Sequence, residues 1–443
     1  MKLIRILMLL LLAASWSHAQ NFSDIFYFSE DTVGYKPILH LVQGPNGVLY
    51  GETFNGQGSS FGTVFAVNTN GTGFTNLYSF TSSGGEFPKG GLILSGTNLY
   101  GTTYEGGNGT GDGTVFAVNT NGTVFTNLYN FSGNDGSEPQ ADLVLSSNIL
   151  YGSTYGGGTH GDGILFAIHT DGTGFTNFYN FSGKDGENPN GGMVLSGNTL
   201  YGTTYDGGSN FDGSVFAINT DGTGFTNLFS FANYNGYFPM GNLILSGKTL
   251  YGTTFMGGTK GYGEIFAINT DGSGFTNLFN FTNGIDGVNP EAGLVLSGHT
   301  LYGTAYNGGS KNFGDVFSIN TNGNGFTTLY SFTNGFDGAY PASGVILSGN
   351  TLYGTANGGG TNGVGTIYRL VLPPPPTMTI GISGTNLIIN WPTNGATYTL
   401  MSATNLNSSA GWNAVTASPA IINGHNTVTN PIAGQQMFFY LSQ

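Results

Sequence analysis

The tripeptide Leu-Tyr-Gly recurs seven times, starting at Leu49, Leu99, Leu150, Leu200, Leu250, Leu301 and Leu352, always 50 or 51 residues apart. A fixed period of that length marks an architecture of like units, each packing on its neighbours. Three more signatures repeat between the copies: Phe-Thr-Asn-Leu-Tyr-Ser-Phe from Phe74, Pro-x-x-Gly-Leu-Ile-Leu from Pro88, and Gly-Thr-Val-Phe-Ala-Val-Asn-Thr from Gly62. Each is a short apolar or alternating run bounded by Gly, Pro, Asn or Asp, and so reads as a strand. Four strands per unit predict an all-β fold, a seven-bladed β-propeller in which radial repetition protects the sheet edges. A β-helix has much shorter rungs than this period. Helical repeats are excluded by the 78 glycines and the absence of sustained helical spacing.

Within a unit, the Pro-x-x-Gly-Leu-Ile-Leu strand, apolar with small residues at its start, suits the crowded axis and is expected innermost. The Leu-Tyr-Gly-Thr-Thr strand follows, then Gly-Thr-Val-Phe, with the polar Phe-Thr-Asn-Leu-Tyr strand outermost. The chain then begins with an outer strand, Phe22 to Phe28, and the last copy ends at its third strand, Thr366 to Leu372. The first strand is expected to complete the last unit and close the ring.

Residues 1–19 have the form of a signal peptide: Lys2 and Arg5, an apolar run from Ile6 to Ala14, then Ser17-His18-Ala19 before a cut after Ala19. The apolar run is too short for a stable membrane span, so a secreted, extracellular or cell-surface protein with no integral membrane segment is expected. Cysteine is absent, which removes disulfides and thiolate chemistry. Loss of Lys2 and Arg5 takes the formal charge from −14 to −16, which argues against nucleic acid and anionic membranes as partners. Aromatic residues at 14% argue against disorder despite the glycine content.

The run Leu-Tyr-Gly-Thr-Thr-Tyr-x-Gly-Gly, followed by Gly-Thr-Val-Phe and Asn-Thr-Asp-Gly, resembles the GloVer tandem repeat of exported bacterial proteins, over residues 22–372. The resemblance implies the repeat architecture, export, and a name referring to various C-terminal anchors. It carries no activity and no catalytic residues. The propeller is thus expected over residues 20–372. Pro373 to Pro376 form a stiff spacer. Residues 377–443 contain no Asp, Glu, Lys or Arg, and runs such as Leu387 to Trp391 and Tyr398 to Met401 predict a small β-sandwich module. That stretch resembles fibronectin-III-like modules and lacks a recognised sorting signal.

Strand alternation sends the turns to two faces. One holds tight Asn-Gly and Asp-Gly turns, to which Asp171, Asp221 and Asp271 belong as turn residues rather than metal ligands. The other collects the longer, variable loops and is the expected binding face. Asp112, Asp135, Asp162, Asp185, Asp212, Asp286 and Asp337 lie there, and His160 sits in one of its loops. Calcium needs several oxygen ligands, and no loop has Asp-x-Asp-x-Asp spacing, so these acids read as solvated turn residues and no metal or other cofactor is expected.

The departures from the repeat are most informative where the inner strands begin. Three residues after the repeat proline come His40, Gly91, Asp142, Gly192, Asn242, Gly293 and Gly344; one residue after it come Lys89, Gln140, Asn190, Met240 and Glu291. Glu52 replaces the usual Thr of the Leu-Tyr-Gly-Thr strand, and hairpin counting sets it opposite His40 or one residue away. This is the one acid/base constellation in the sequence, and the plainer reading is a local hydrogen bond in a hairpin whose sequence is itself atypical. His160 and His169, nine residues apart on one segment, cannot share a metal. No Gly-x-Ser-x-Gly, His-Glu-x-x-His or phosphate-loop motif occurs. Tyr234, Tyr237, Phe238 and Phe211 are candidates for stacking on sugar rings, although Phe87 and Tyr340 at related positions suggest packing.

The expected function is binding of a glycan, surface polymer or protein through the loop face, with His40, Glu52, Lys89, Asp142, Asn242, Glu291 and His160 as candidate ligand-binding residues. Two alternatives stay open: a polysaccharide lyase or hydrolase with His40 and Glu52 as acid and base, and a structural envelope component.

Overall fold

Each of the first six repeat units folds as a four-stranded antiparallel meander, because its alternating apolar runs are joined by turns that glycine can close. The computed structural model describes residues 21–442 except 32, 59, 283, 374–376, 394–397, 404–412, 416 and 432–437; the expected signal peptide lies outside the described residues. In the second unit the strands are Glu86–Ser95, Asn98–Glu105, Thr114–Asn119 and Phe125–Asn130, hydrogen-bonded in that order. The other units repeat this order, which is the order expected from the inner strand outward. Among the described residues there are two short 3-10 turns, Pro45–Gly47 and Asn233–Asn235, and no helix long and apolar enough to cross a membrane.

The N-terminal strand Asn21–Tyr27 pairs antiparallel with Thr366–Val371, so the last repeat sheet takes its outer strand from the start of the chain. Seven four-stranded sheets, built from residues 21–371, result. In the first six, the pairing of third and outer strands slips by one residue before the Phe of the Val-Phe or Leu-Phe pair, for example between Val64 and Phe65. The seventh slips at the same point, between Asp24 and Phe26. A bulge of this kind leaves one outer-strand residue unpaired and bends the strand. The extra residue (Leu77, Leu128, Phe178, Leu228, Leu278, Leu329 or Ile25) packs into the core between its own sheet and the next.

Seven such cores exist, and one joins the seventh sheet to the first through Tyr353, Ile367, Phe28, Leu41 and Phe65. Ring stacking follows the same circuit. The first Phe of each Phe-Thr-Asn-Leu-Tyr strand lies flat on an aromatic of the preceding outer strand, as in Tyr78–Phe125 at 3.6 Å, Tyr129–Phe175 at 3.7 Å and Phe229–Phe275 at 3.9 Å. Tyr330 stacks on Phe22 at 3.7 Å and Phe26 on Phe74 at 4.2 Å, carrying the series through the N-terminal strand and back to the first unit. Such pairs contribute about 0.5–1.5 kcal/mol each beyond buried area.

The glycine of Leu-Tyr-Gly has a steric cause. The Phe of the third strand lies over it, and a Cβ on Gly101 would stand 2.6 Å from Phe116 Cζ. Any side chain there would displace that core ring.

Beyond the repeats, Thr379–Ser383, Asn386–Pro392, His425–Pro431 and Ala420–Ile422 form a four-stranded sheet, and Asn413–Ala414, Thr399–Ala403 and Phe438–Ser442 a three-stranded one. Ile389, Trp391, Leu400 and Val428 form a buried cluster that joins the two sheets.

Candidate functional site

The segment before each inner strand is held by a recurring backbone device. The residue preceding the repeat proline is left-handed in all seven units: Lys36, Phe87, Glu138, Asn188, Phe238, Asn289 and Tyr340, with φ between 56° and 58°. Its N–H donates to the carbonyl of the neighbouring long loop, from 2.7 Å for Phe87 to Phe61 up to 3.2 Å for Phe238 to Asp212. This lacing joins the two loop sets of the variable face, and it orients the residues that follow the proline.

Those residues converge. A cavity of about 250 Å³ is lined from all seven repeat sheets, and its polar contributors include His40, Lys89, Asp142, Asn242, Glu291 and Asn357. Five of the seven residues singled out for ligand binding thus share one cavity. The other two lie elsewhere: His160 is exposed in its loop, with Nδ1 3.1 Å from Thr159 Oγ1, and Glu52 is buried and does not line the cavity.

At the centre, polar side chains alternate with glycines. His40 Nε2 lies 3.3 Å from Asp142 Oδ2. The Gly91 N–H donates to Asp142 Oδ1 at 2.6 Å, and Asn242 Nδ2 donates to Asp142 Oδ2. Asn242 Oδ1 in turn accepts from the Gly192 N–H at 2.6 Å. Units one, three and five supply the side chains, while units two and four supply bare amides. The glycines are required by the crowding: a Cβ on Gly91 would stand 2.2 Å from His40 Cε1.

The expected His40–Glu52 pair takes a different form. The register Gln43↔Leu49 and Val42↔Tyr50 runs toward a His40↔Glu52 alignment, yet the ion-pair contact of His40 is with Asp142, from two units away. Hairpin counting sees only neighbours within a unit, whereas the axis brings distant units together. Both Glu52 oxygens are buried without a hydrogen-bond partner, and burial, with the Asp142 charge adding to it, pushes its carboxyl well above the ordinary range. The equivalent Thr253, Thr304 and Thr355 instead donate to carbonyls of the next sheet, at 3.0, 2.9 and 3.3 Å. A carboxylate cannot make that bond, whereas a carboxylic acid can.

Other lining groups are also displaced from their usual titration. Burial raises Glu291 from 4.5 to about 7, so this carboxyl offers both donor and acceptor near neutrality. Burial lowers Lys89, with Glu138 and Glu105 opposing, and its ammonium lies 4.3 Å from the Tyr104 ring centroid. Among the described residues no group of three His, Cys, Asp or Glu side chains is placed to hold a metal ion. Asp135, Asp185, Asp286 and Asp337 cap their own connections; Asp185 accepts from the Tyr179 hydroxyl, and from Ser182 N and Oγ at 2.9 Å.

Sequence reasoning passed over Asn357, Glu264 and Asp315. Asn357 lines the cavity where the other units carry Phe54, Tyr104, Tyr155, Tyr205, Phe255 and Tyr306, a departure visible in the repeats themselves. Glu264 and Asp315 are wholly buried where other third strands begin with Thr, Ser or Ile; burial raises them to about 8 and about 7. Among the aromatic candidates, Phe238 stacks on Tyr205 at 4.4 Å and the Tyr237 hydroxyl meets Met256 Sδ at 3.3 Å, while Phe211 and Tyr234 are exposed.

Sheets arranged in this way, around a common polar cavity, define an all-β tandem-repeat protein of β-propeller-like fold. The family model described as the Gloeobacter/Verrucomicrobia repeat matches residues 16–211 and 171–368, together well over half of the chain, and the chain belongs to that family. That description names Gloeobacter and Verrucomicrobia and not C-terminal anchors. No curated protein matches the sequence. Among solved structures, an oligogalacturonate lyase in complex with manganese is 12% identical with a TM-score of 0.50, covering 80% of this chain and 96% of its own. An oligogalacturonate lyase from Vibrio parahaemolyticus is 11% identical with a TM-score of 0.49, over 80% and 97%. A chain of a nidogen/laminin complex is 15% identical with a TM-score of 0.41, over 62% and 88%. At these identities the likeness concerns the fold alone.

Proposed function

We propose that this chain is an exported binding protein: a seven-bladed β-propeller over residues 20–372, followed by a small β-sandwich module as adaptor, that takes the end of a glycan into its axial cavity. The observation that carries the reading is the cavity itself, a polar pocket where His40, Asp142 and Asn242 replace the glycine that the other units keep at the start of the inner strand. Asp142, Asn242, Asn190 and Gln140 offer the mixed donors and acceptors that hydroxyl groups need, and about 250 Å³ matches a single sugar ring better than a folded partner. The seven sheets, seven cores and seven ring stacks support the blade count.

Isothermal titration against neutral and acidic oligosaccharides tests the reading. Binding weakened tenfold or more by Asp142→Ala and Asn242→Ala, with no new products, is the expected result. No binding of any sugar sinks it. The enzyme alternative draws on Glu291, a half-buried carboxyl in the same cavity as His40 that desolvation pushes up to about 7, as a general acid or base needs. Sugar cleavage lost in Glu291→Gln would favour it.

A further inference from the structure

Phe211 is a backbone outlier with an exposed ring. Its φ is +63°, and its side chain is 70% exposed. The equivalent loop step is Gly111, Gly161, Gly261, Asn312 or Gly363 in five other units, all left-handed, as that conformation prefers. A phenylalanine there is strained, and a ring so exposed recovers little of the loss by burial. Strain held at a surface position in this way points to function.

Three more apolar side chains are exposed on the connections that follow it in the chain. Tyr234, Ile285 and Phe336 are each 74% exposed, at the same step of three consecutive connections, one residue before the loop-capping Asn235, Asp286 or Asp337. The corresponding residues in two earlier connections are Asn134 and Lys184. The Phe211 loop is tied to the Tyr234 connection by Asn210 Nδ2 donating to the Phe231 carbonyl at 2.9 Å. Among the described residues, the large exposed apolar side chains of the loop face all belong to units four to seven.

Resting on the carbohydrate reading above, we propose that this arc is a rim platform for an extended neutral polysaccharide. Each apolar group comes from a separate loop and is flanked in sequence by Asn, Gly or Asp: Asn210 and Asp212, Asn233 and Asn235, Gly284 and Asp286, Gly335 and Asp337. A protein interface needs a contiguous patch, and a membrane needs an unbroken apolar face. The flanking Asp212, Asp286 and Asp337, within a chain of net charge −14, repel anionic lipids and acidic polymers. An uncharged sugar chain alternates C–H faces with hydroxyl edges along its length, so it meets both the rings and the carboxylates.

The test is retention on microcrystalline cellulose, insoluble xylan and chitin. We expect the wild type to bind at least one of them. Phe211→Gly, Tyr234→Ala and Phe336→Ala should each weaken that binding tenfold or more, with short-oligosaccharide binding at the cavity unchanged. Phe211→Gly removes the ring and relieves the left-handed strain, so its melting temperature should stay level or rise, which separates lost contact from lost fold. Undiminished polymer retention by the triple variant overturns the platform while leaving the cavity standing. Failure of the wild type to bind any polymer also overturns the platform, and short-oligosaccharide titration then decides the cavity by itself. Binding instead to phosphatidylglycerol vesicles, lost in the same variants, overturns the choice of polysaccharide.

Discussion

Gly91 shows how closely single residues are constrained at the axis. Its N–H serves Asp142, and the space of its absent side chain is filled by the His40 ring. Gly91→Ala should therefore destabilise the chain by about 1–3 kcal/mol, the usual cost of overpacking. His40→Ala together with Gly91→Ala should restore a large part of that loss, because the clash has lost one partner. Urea denaturation of the two single variants and the double variant measures the coupling; strict additivity would mean that the imidazole does not set the limit. Glu264 is a second instance, a wholly buried carboxyl with Asn277 donating to Oε2 and no partner for Oε1. Glu264→Gln should preserve the fold and stabilise it by roughly 1–3 kcal/mol at pH 8, since the amide keeps the shape without a buried charge.

At the level of elements, the strand Asn21–Tyr27 closes the last sheet and bridges two cores. Phe22 stacks on Tyr330 and lies 5.5 Å from Tyr368, while Phe26 and Phe28 pack with Phe74 and Phe65. Phe22→Ala should cost about 2–4 kcal/mol in thermal or urea unfolding. Deleting residues 21–28 leaves the Thr366–Val371 edge unpaired and should produce an aggregating protein by light scattering. A circular permutant that moves this strand to follow Leu372 should instead fold with near wild-type circular dichroism, because every repeat sheet then has its four strands in sequence order.

For the whole molecule, four buried or half-buried acids act together on pH stability. Burial is the leading cause that raises Asp24 to about 6, Asp315 and Glu291 to about 7, and Glu264 to about 8. Their ordinary values are 3.8 for Asp and 4.5 for Glu. Between those values and the raised ones, the folded chain holds protons that the unfolded chain releases, so unfolding free energy falls as pH rises. The melting temperature should be higher near pH 5 than near pH 8, and Glu264→Gln should flatten the decline. A flat or rising profile in scanning calorimetry would show that these carboxyls ionise in the fold without cost.

The sequence alone determined the unit: a period of 50 or 51 residues, four strands in a stated order, turn residues at the tight face, and an N-terminal strand with no place except the last sheet. Those features depend on local spacing and side-chain alternation, which each copy states afresh. It also located Lys89, Asp142, Asn242 and Glu291 on the loop-face mouth, because counting from a repeated proline carries over from unit to unit. The tertiary structure alone decided which of them meet. His40 finds Asp142 across two units rather than Glu52 across one hairpin, and Asp142 receives Asn242 from a hundred residues away. The left-handed turn at Phe211 and the depth of Glu264 were equally hidden. Contacts across an axis depend on how many sheets surround it and how far each leans inward, quantities summed over the whole ring and written in no single repeat.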